Sequence, residues 1–151
     1  MSAVTHVLDT SAVLAHYFDE PGAEIVDGLW QDSRNRIAIC VLTLPELRWR
    51  MQAEIEDERE IDRACQEYAG ELTSSLVVDS AVAESAIALR REAERLPLTD
   101  AIIAGCAHAV SAVLVHRDRH MESIPQRLVS QIVLPRREAP TPPGEAVQGS
   151  L

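Results

Sequence analysis

The chain has 151 residues, of which 46% are hydrophobic and 3% aromatic, so we expect one domain with a core of aliphatic side chains. Its apolar runs are shorter than the roughly 20 residues that span a bilayer, and its first residues do not form a secretory signal, so we expect a cytoplasmic protein with no membrane partner. The net charge is −10 and all fourteen basic residues are arginine, which disfavours a broad cationic surface for nucleic acid.

The first third of the chain alternates short buried strands with helices. A strand is predicted at residues 4–8 and ends at Asp9, where apolar residues at helical spacing begin a helix. A Pro-Gly pair ends that helix, and a second helix is predicted at 23–31. A second buried strand is predicted at 37–41.

The middle of the chain is predicted to be mainly helical. Thr43 and Glu46 stand three residues apart with a proline between them, which predicts that Thr43 caps a helix and that Glu46 completes a capping box. The charged stretch from 47 to about 72 is predicted to form two helices. A short strand at 76–78 and an amphipathic helix at 80–95 follow.

The last elements are a core helix and two strands. Thr99 is predicted to cap a helix over residues 100–110, which is almost entirely apolar. Strands are predicted at 112–115 and 131–134. The alternation of strands and helices predicts an α/β fold, an α/β/α sandwich with a mostly parallel central sheet.

The chain divides into a folded part and a tail. Residues 1–136 contain all of the predicted elements and are expected to form the single domain. Residues 137–151 are polar and rich in proline, which is typical of a disordered C-terminal tail.

Four acids fall at positions that this fold brings to one edge. Asp9 and Asp118 follow strands, Glu46 follows a strand through a short turn, and Asp100 begins a helix. Ligands of open parallel sheets bind beyond the carboxyl ends of the strands. Carboxylates without basic partners repel one another unless they bind cations, and oxygen ligands favour Mg²⁺ or Mn²⁺. The chemistry indicated is metal-assisted hydrolysis of a phosphodiester.

Each acid also has a purely structural interpretation. Asp9 could cap the first helix, and Glu46 could be only a capping-box residue. Asp100 could be a first-turn acid favoured by the helix dipole, and Asp118 could be an ordinary turn residue. Their joint position at one edge of the sheet favours a common site over four separate structural roles.

The sequence around each acid resembles a motif of the PIN domain family, and in particular of VapC-type toxins. The similar segments are Val-Leu-Asp-Thr-Ser at Asp9, Leu-Thr-Leu-Pro-Glu-Leu at Glu46, Leu-Thr-Asp-Ala-Ile-Ile-Ala at Asp100 and Leu-Val-His-Arg-Asp at Asp118. They stand in the family's order, and the resemblance covers residues 4–134.

This resemblance implies a function and a site. The four acids would be catalytic, with Asp9, Asp100 and Asp118 as the metal ligands and with Thr10 or Ser11 beside them. The implied protein is an endoribonuclease that depends on Mg²⁺ (or Mn²⁺) and is the toxin of a type II toxin–antitoxin system. Its implied partners are an RNA substrate, a cognate antitoxin protein and a second copy of the chain in a homodimer.

The fourth motif departs from the usual family pattern at two histidines. His116 stands where Thr or Ser is usual, and His120 stands where a further Asp is common. Both could be metal ligands or proton shuttles, or they could be loop histidines that face solvent or stack on a neighbouring group. Arg117 and Arg119 flank Asp118 and are either phosphate contacts or ordinary surface arginines.

Two other functions stay open. A PIN-like module that has lost activity and acts by binding a protein or RNA partner is suggested by the two histidines. A phosphohydrolase with Asp9 as its nucleophile usually needs a second Asp two residues later and a downstream Lys. This chain has Ser11 at that position and has no Lys, which disfavours that class.

Overall fold

Five parallel strands form one sheet at the centre of the molecule. The computed structural model describes residues 3–136, so the predicted tail lies outside the described residues. The strands are β1 (His6–Leu8), β2 (Ile37–Cys40), β3 (Ser74–Leu76), β4 (Val113–His116) and β5 (Gln131–Val133). They lie in the order β3-β2-β1-β4-β5, and every neighbouring pair is parallel. This arrangement confirms the predicted parallel sheet.

Seven α-helices accompany the sheet within residues 3–136. They are α1 (Thr10–Tyr17), α2 (Ala23–Gln31), α3 (Thr43–Gln52), α4 (Glu58–Gln66), α5 (Ser80–Glu92), α6 (Leu98–Ala109) and α7 (Arg119–Glu122). A π-helical turn at Glu67–Glu71 follows α4 directly, and the sequence did not predict either this turn or α7. In this part of the chain, no helix combines the length and the apolar character needed to cross a bilayer.

The two faces of the sheet pack against different helices, because successive strand residues point to opposite faces. Val7 and Leu114 lie in the core cluster that contains the buried faces of α5 and α6. Leu8, Ile39 and Val115 lie in the other cluster, with the buried residues of α1, α3 and α4. The fold is therefore the predicted α/β/α sandwich.

The contact between α5 and α6 is unusually close at Gly105. A β-carbon at this position would lie 3.0 Å from the Val82 carbonyl oxygen and 3.1 Å from the Ala86 amide nitrogen. Gly105 therefore lets the backbones of the two helices approach closely.

Two predicted helix caps are wrong. Leu42 has helical backbone angles and is the N-cap of α3, so Thr43 already lies inside the first turn and cannot act as the cap. Glu46 is consequently one residue beyond the capping-box position. The N-cap of α6 is Pro97 rather than Thr99. Both helices therefore begin earlier than predicted, so Thr43 and Thr99 lie inside their first turns.

Candidate metal centre at the carboxyl edge of the sheet

The four predicted acids are carried by elements that meet at the carboxyl edge of the sheet. Asp9 directly follows β1. Asp118 stands two residues after β4, the strand that pairs with β1. Glu46 lies in the first turn of α3, which follows β2 on the other side of β1. Asp100 lies in the first turn of α6, the helix that precedes β4. The parallel topology thus brings residues that are far apart in sequence to one edge.

Glu46 and Asp118 lie close enough to Asp9 and Asp100 for their charges to raise the pKa of both. Burial raises the pKa of Asp9, and the charges of Glu46 and Asp118 raise it further, while hydrogen bonds from Ser11 lower it. Burial, together with the charges of Asp118, Asp9 and Glu46, raises the pKa of Asp100 to about 7. The protein therefore holds these acids together at an electrostatic cost, which a bound cation would offset.

Asp9 is buried and is held by the start of its own helix. Its Oδ2 accepts hydrogen bonds from the Ser11 amide at 3.1 Å and from the Ser11 hydroxyl at 2.6 Å. Asp9 is therefore the N-cap of α1, as its structural interpretation required, and the charges of Glu46 and Asp118 also act on it. The two roles are compatible because the cap uses a single carboxylate oxygen.

Thr10 lies beside Asp9 with its hydroxyl buried. Its Oγ1 has no hydrogen-bond partner among residues 3–136. A buried hydroxyl without a partner is costly, because it has lost its hydrogen bonds to water. A donor oxygen of this kind next to a carboxylate fits a site whose further partner is an ion or its bound water.

Asp118 is held by a chain of hydrogen bonds that runs into the core. Its amide donates to Nδ1 of His116 at 3.0 Å, and Nε2 of His116 bonds to Oε1 of Gln131 at 2.8 Å. Because Nδ1 accepts, the proton of the neutral ring is on Nε2. Gln131 in turn donates to the carbonyl of Ile124 at 2.8 Å.

His116 is therefore a positioning residue. It is fully buried at the end of β4 rather than exposed in a loop, so the solvent-facing interpretation is wrong for this residue. Both of its ring nitrogens are occupied, which also leaves neither nitrogen for a metal ion in this arrangement.

His120 lies at the mouth of the same site. Its amide donates to Oδ1 of Asp118 at 2.8 Å, which makes Asp118 the N-cap of the short helix α7. Its ring Nδ1 lies 3.2 Å from Oδ1 of Asp118 and 3.8 Å from Oδ2 of Asp100. The side chain is 61% exposed, so it combines contact with the acids and access to solvent.

The two arginines beside Asp118 differ in their surroundings. Arg117 is largely buried, and its guanidinium bonds Oε1 of Glu20 at 2.8 Å, so it is neither a surface arginine nor a free phosphate contact. Its amide donates to the Ser11 hydroxyl at 3.0 Å. Arg119 is exposed, and no acid pairs with it among residues 3–136.

Sequence reasoning missed two residues that shape the site. Glu20 holds Arg117, and Gln131 holds His116. Neither stands near a motif, and a lone Glu or Gln carries no signal in the sequence. Only the packing of β5 and of the end of α1 against β4 reveals them.

The donor set fits a hard divalent cation. Asp9, Asp100 and Asp118 supply carboxylate oxygens. The charge of Glu46 raises the pKa of Asp9 and of Asp100, so Glu46 lies near both. Asp100, Asp118 and His120 each present one ligand atom within 4.8 Å of the others. Oxygen-rich sites with an open side are those at which Mg²⁺ or Mn²⁺ promotes reactions of phosphate esters.

Comparison with known proteins identifies the family. The family model described as PIN domain matches residues 6–126. No curated protein matches the sequence.

Solved structures resemble the fold over most of its length. A chain of VapBC-5 from Mycobacterium tuberculosis, a member of the VapBC family of toxin–antitoxin systems, is 25% identical, with a TM-score of 0.65 over 86% of this chain and 98% of that one. A chain of VapBC2 from Rickettsia felis, bound to a promoter DNA fragment, is 19% identical, with a TM-score of 0.69 over 87% of this chain and 100% of that one. PAE2754 from Pyrobaculum aerophilum is 22% identical, with a TM-score of 0.59 over 85% and 89%.

Proposed function

The chain belongs to the PIN domain family, and from this premise we propose that it is the ribonuclease toxin of a VapBC-type toxin–antitoxin pair. The observation that carries the proposal is the convergence of Asp9, Glu46, Asp100 and Asp118 at one edge, with a pKa of about 7 for Asp100. The likeness to the VapBC-5 chain supports the toxin role and a protein antitoxin as partner. Cytoplasmic RNA is the proposed substrate.

The proposed reaction is metal-dependent hydrolysis of an RNA phosphodiester. A bound Mg²⁺ or Mn²⁺ would polarise the phosphate and lower the pKa of a water ligand. Asp9, Asp100 and Asp118 would hold the ion, and Ser11 and His116 would keep two of these acids in place. Glu46 is the acid left to accept a proton from the attacking water.

Substrate binding must work against the charge of −10. Several candidate arginines are already paired: Arg34 with Asp32, Arg48 with Glu58 and Asp62, and Arg117 with Glu20. Arg119 beside the site, and Arg50 on α3, have no acidic partner among the described residues. We therefore expect weak non-specific affinity for RNA, with cleavage confined to particular sequences or shapes.

A homodimer is part of the proposal. The side chains of Trp49, Val77 and Leu98 are 71%, 68% and 60% exposed. The homodimer follows from the resemblance to the family, and a second copy would cover whichever of these side chains lie in its interface.

The first experiment is RNA cleavage by the purified, partner-free chain with Mg²⁺, with Mn²⁺ and with a chelator. Asp100→Asn should abolish metal-dependent cleavage, because it removes a carboxylate from the site. Glu84→Gln is the matched control, since Glu84 is an exposed acid on α5. Cleavage that survives in Asp100→Asn would overturn the site assignment. Metal binding without cleavage of any RNA would instead favour an inactive PIN-like binding module.

The toxin role needs a separate experiment in cells. Production of the chain alone should arrest bacterial growth, and production of Asp100→Asn at the same level should not. Growth arrest by both proteins would separate toxicity from the nuclease site and contradict the proposed role.

A further inference from the structure

His120 brings a nitrogen atom to a site that otherwise offers oxygen. The same ring atom, Nδ1, faces Oδ1 of Asp118 at 3.2 Å and Oδ2 of Asp100 at 3.8 Å. These three atoms all lie within 4.8 Å of one another. The imidazole is therefore placed where it can share an ion with both carboxylates.

Backbone hydrogen bonds hold His120 in this position. The His120 amide bonds the carboxylate of Asp118 at 2.8 Å, so backbone and ring of one residue lie on the same side of that acid. The Asp118 amide is anchored in turn on buried His116 at 3.0 Å. His120 is thus positioned by a network that extends into the core, although its ring is exposed.

The spacing suits coordination of one ion. Ligand atoms about 2.1 Å from an octahedral ion lie about 3 Å from their neighbours. The separation from Nδ1 to Asp118 already has about this length, and the separation to Asp100 needs to shorten by less than 1 Å. The His120 side chain is 61% exposed, so its outer side is open to water ligands of the ion.

We propose that His120 is a nitrogen ligand of the metal ion held by Asp100 and Asp118, and that it makes this site select Mn²⁺ and related first-row transition ions over Mg²⁺. The inference rests on the proposed function, because it assigns a ligand to that same metal site. Mg²⁺ takes oxygen ligands and keeps several waters, whereas first-row transition ions accept imidazole nitrogen, Mn²⁺ less strongly than the later members of the series. Replacing one carboxylate oxygen by imidazole therefore changes which ion the site prefers.

The alternative is that His120 only forms an ion pair with Asp118 and takes no part in binding the metal. The two arrangements differ in one observable, which is a nitrogen bonded to the ion. Mn²⁺ is a suitable probe because it is paramagnetic, so a coordinated ¹⁴N modulates its electron spin echo.

The experiment uses the full chain stripped of metal and then loaded with Mn²⁺. Electron spin echo envelope modulation should show ¹⁴N coupling in the wild type and in His108→Ala, and no coupling in His120→Ala. His108 is the matched control, since it lies in the last turn of α6, far along the helix from Asp100, where it bonds Ser85. Circular dichroism and thermal melting check that each variant is folded.

Equilibrium binding gives a second readout. Loss of an outer-shell partner of a metal ligand costs about 10–100-fold in affinity, so loss of His120 as a direct ligand should weaken Mn²⁺ binding at least ~10-fold. His120→Asp restores an oxygen ligand, so it should lower the ratio of Mn²⁺ to Mg²⁺ affinity at least ~10-fold while Mg²⁺ binding is kept or gained.

The outcomes separate the two proposals. Mn²⁺ binding that requires Asp100 but shows no ¹⁴N coupling, with an unchanged ion preference in His120→Asp, would overturn the role of His120 and leave the metal site standing. Failure of the wild-type chain to bind either ion would overturn the proposed metal-dependent function itself.

Discussion

The Ser11 hydroxyl donates a 2.6 Å hydrogen bond to Oδ2 of Asp9 and accepts one of 3.0 Å from the Arg117 amide. This single side chain therefore connects the turn after β1 to the turn after β4. Asp9 and Asp118, the acids carried by these two turns, are held in a fixed relation by it. The hydrogen bond between Ser11 and Arg117 joins residues more than one hundred positions apart in sequence, and β1 and β4 lie side by side only in the folded sheet.

Replacing Ser11 tests this connection. Ser11→Ala should raise the pKa of Asp9 further, because the Ser11 hydrogen bond lowers it. A hydrogen bond to a charged group is worth about 1.5–3 kcal/mol, so we expect RNA cleavage and Mn²⁺ affinity to fall about tenfold or more. Ser33→Ala, at an exposed position, is the control. Cleavage equal to that of wild type in Ser11→Ala would show that Asp9 is positioned without it.

Asp100 makes the stability of the metal-free chain depend on pH. Its folded pKa of about 7 lies above that of an unfolded Asp, near 3.9, so between these values the folded state keeps a proton that the unfolded state has lost. The free energy of unfolding contributed by this group is therefore greatest below about pH 4 and is lost as the pH rises to about 7, a change on the order of 4 kcal/mol at most. Urea denaturation in the presence of a chelator measures it.

Asp100→Asn should remove that part of the pH dependence. At pH 8 the variant should be more stable than the wild type without metal, because it relieves repulsion from Asp118, Asp9 and Glu46. Added Mn²⁺ should stabilise the wild type much more than the variant. Equal slopes of stability against pH in both proteins would contradict the assignment of this titration to Asp100.

The ion pair between Arg117 and Glu20 should matter more than a pair on the surface. Both side chains are 13% exposed, so Glu20→Ala leaves a largely buried guanidinium without this partner and should cost about 2–4 kcal/mol of stability. Glu92→Ala breaks the exposed pair with Arg127 and should cost at most about 1 kcal/mol. Chemical denaturation of both variants gives the comparison, and equal losses would refute a special role for the buried pair.

Two glycines offer a matched test of the packing of α6. Gly105→Ala places a β-carbon 3.0 Å from the Val82 carbonyl oxygen, so we expect a loss of about 1–3 kcal/mol and weaker metal binding as α6 and Asp100 shift. Gly28→Ala adds a β-carbon that meets nothing within 4 Å inside α2, so it should stabilise the protein by about 0.5–1 kcal/mol. Thermal melting distinguishes the two, and stabilisation by both would contradict the close helix contact.

Most of the fold followed from local pattern. All five strands and the long helices were predicted near their observed positions, because each carries enough apolar residues at its own spacing to bury one face. The errors are at boundaries. The third strand, predicted at residues 76–78, is Ser74–Leu76, and Thr43 and Thr99 do not cap their helices. Such boundaries depend on backbone direction, which residue types alone do not specify.

The sequence by itself determined the four acids and the alternation of strands and helices that predicts a mostly parallel sheet, because each element carries its own hydrophobic periodicity and the acids stand near the ends of these elements. The strand order β3-β2-β1-β4-β5 and the N-caps of α3 and α6 came from the tertiary structure. Only the tertiary structure decided what their neighbours do. It buried His116 against Gln131, turned Arg117 towards Glu20 and left His120 facing two carboxylates. These outcomes depend on contacts between strands and helices that are distant in sequence. The type of a residue does not determine whether its side chain is exposed to water, paired with a charge or buried in the core.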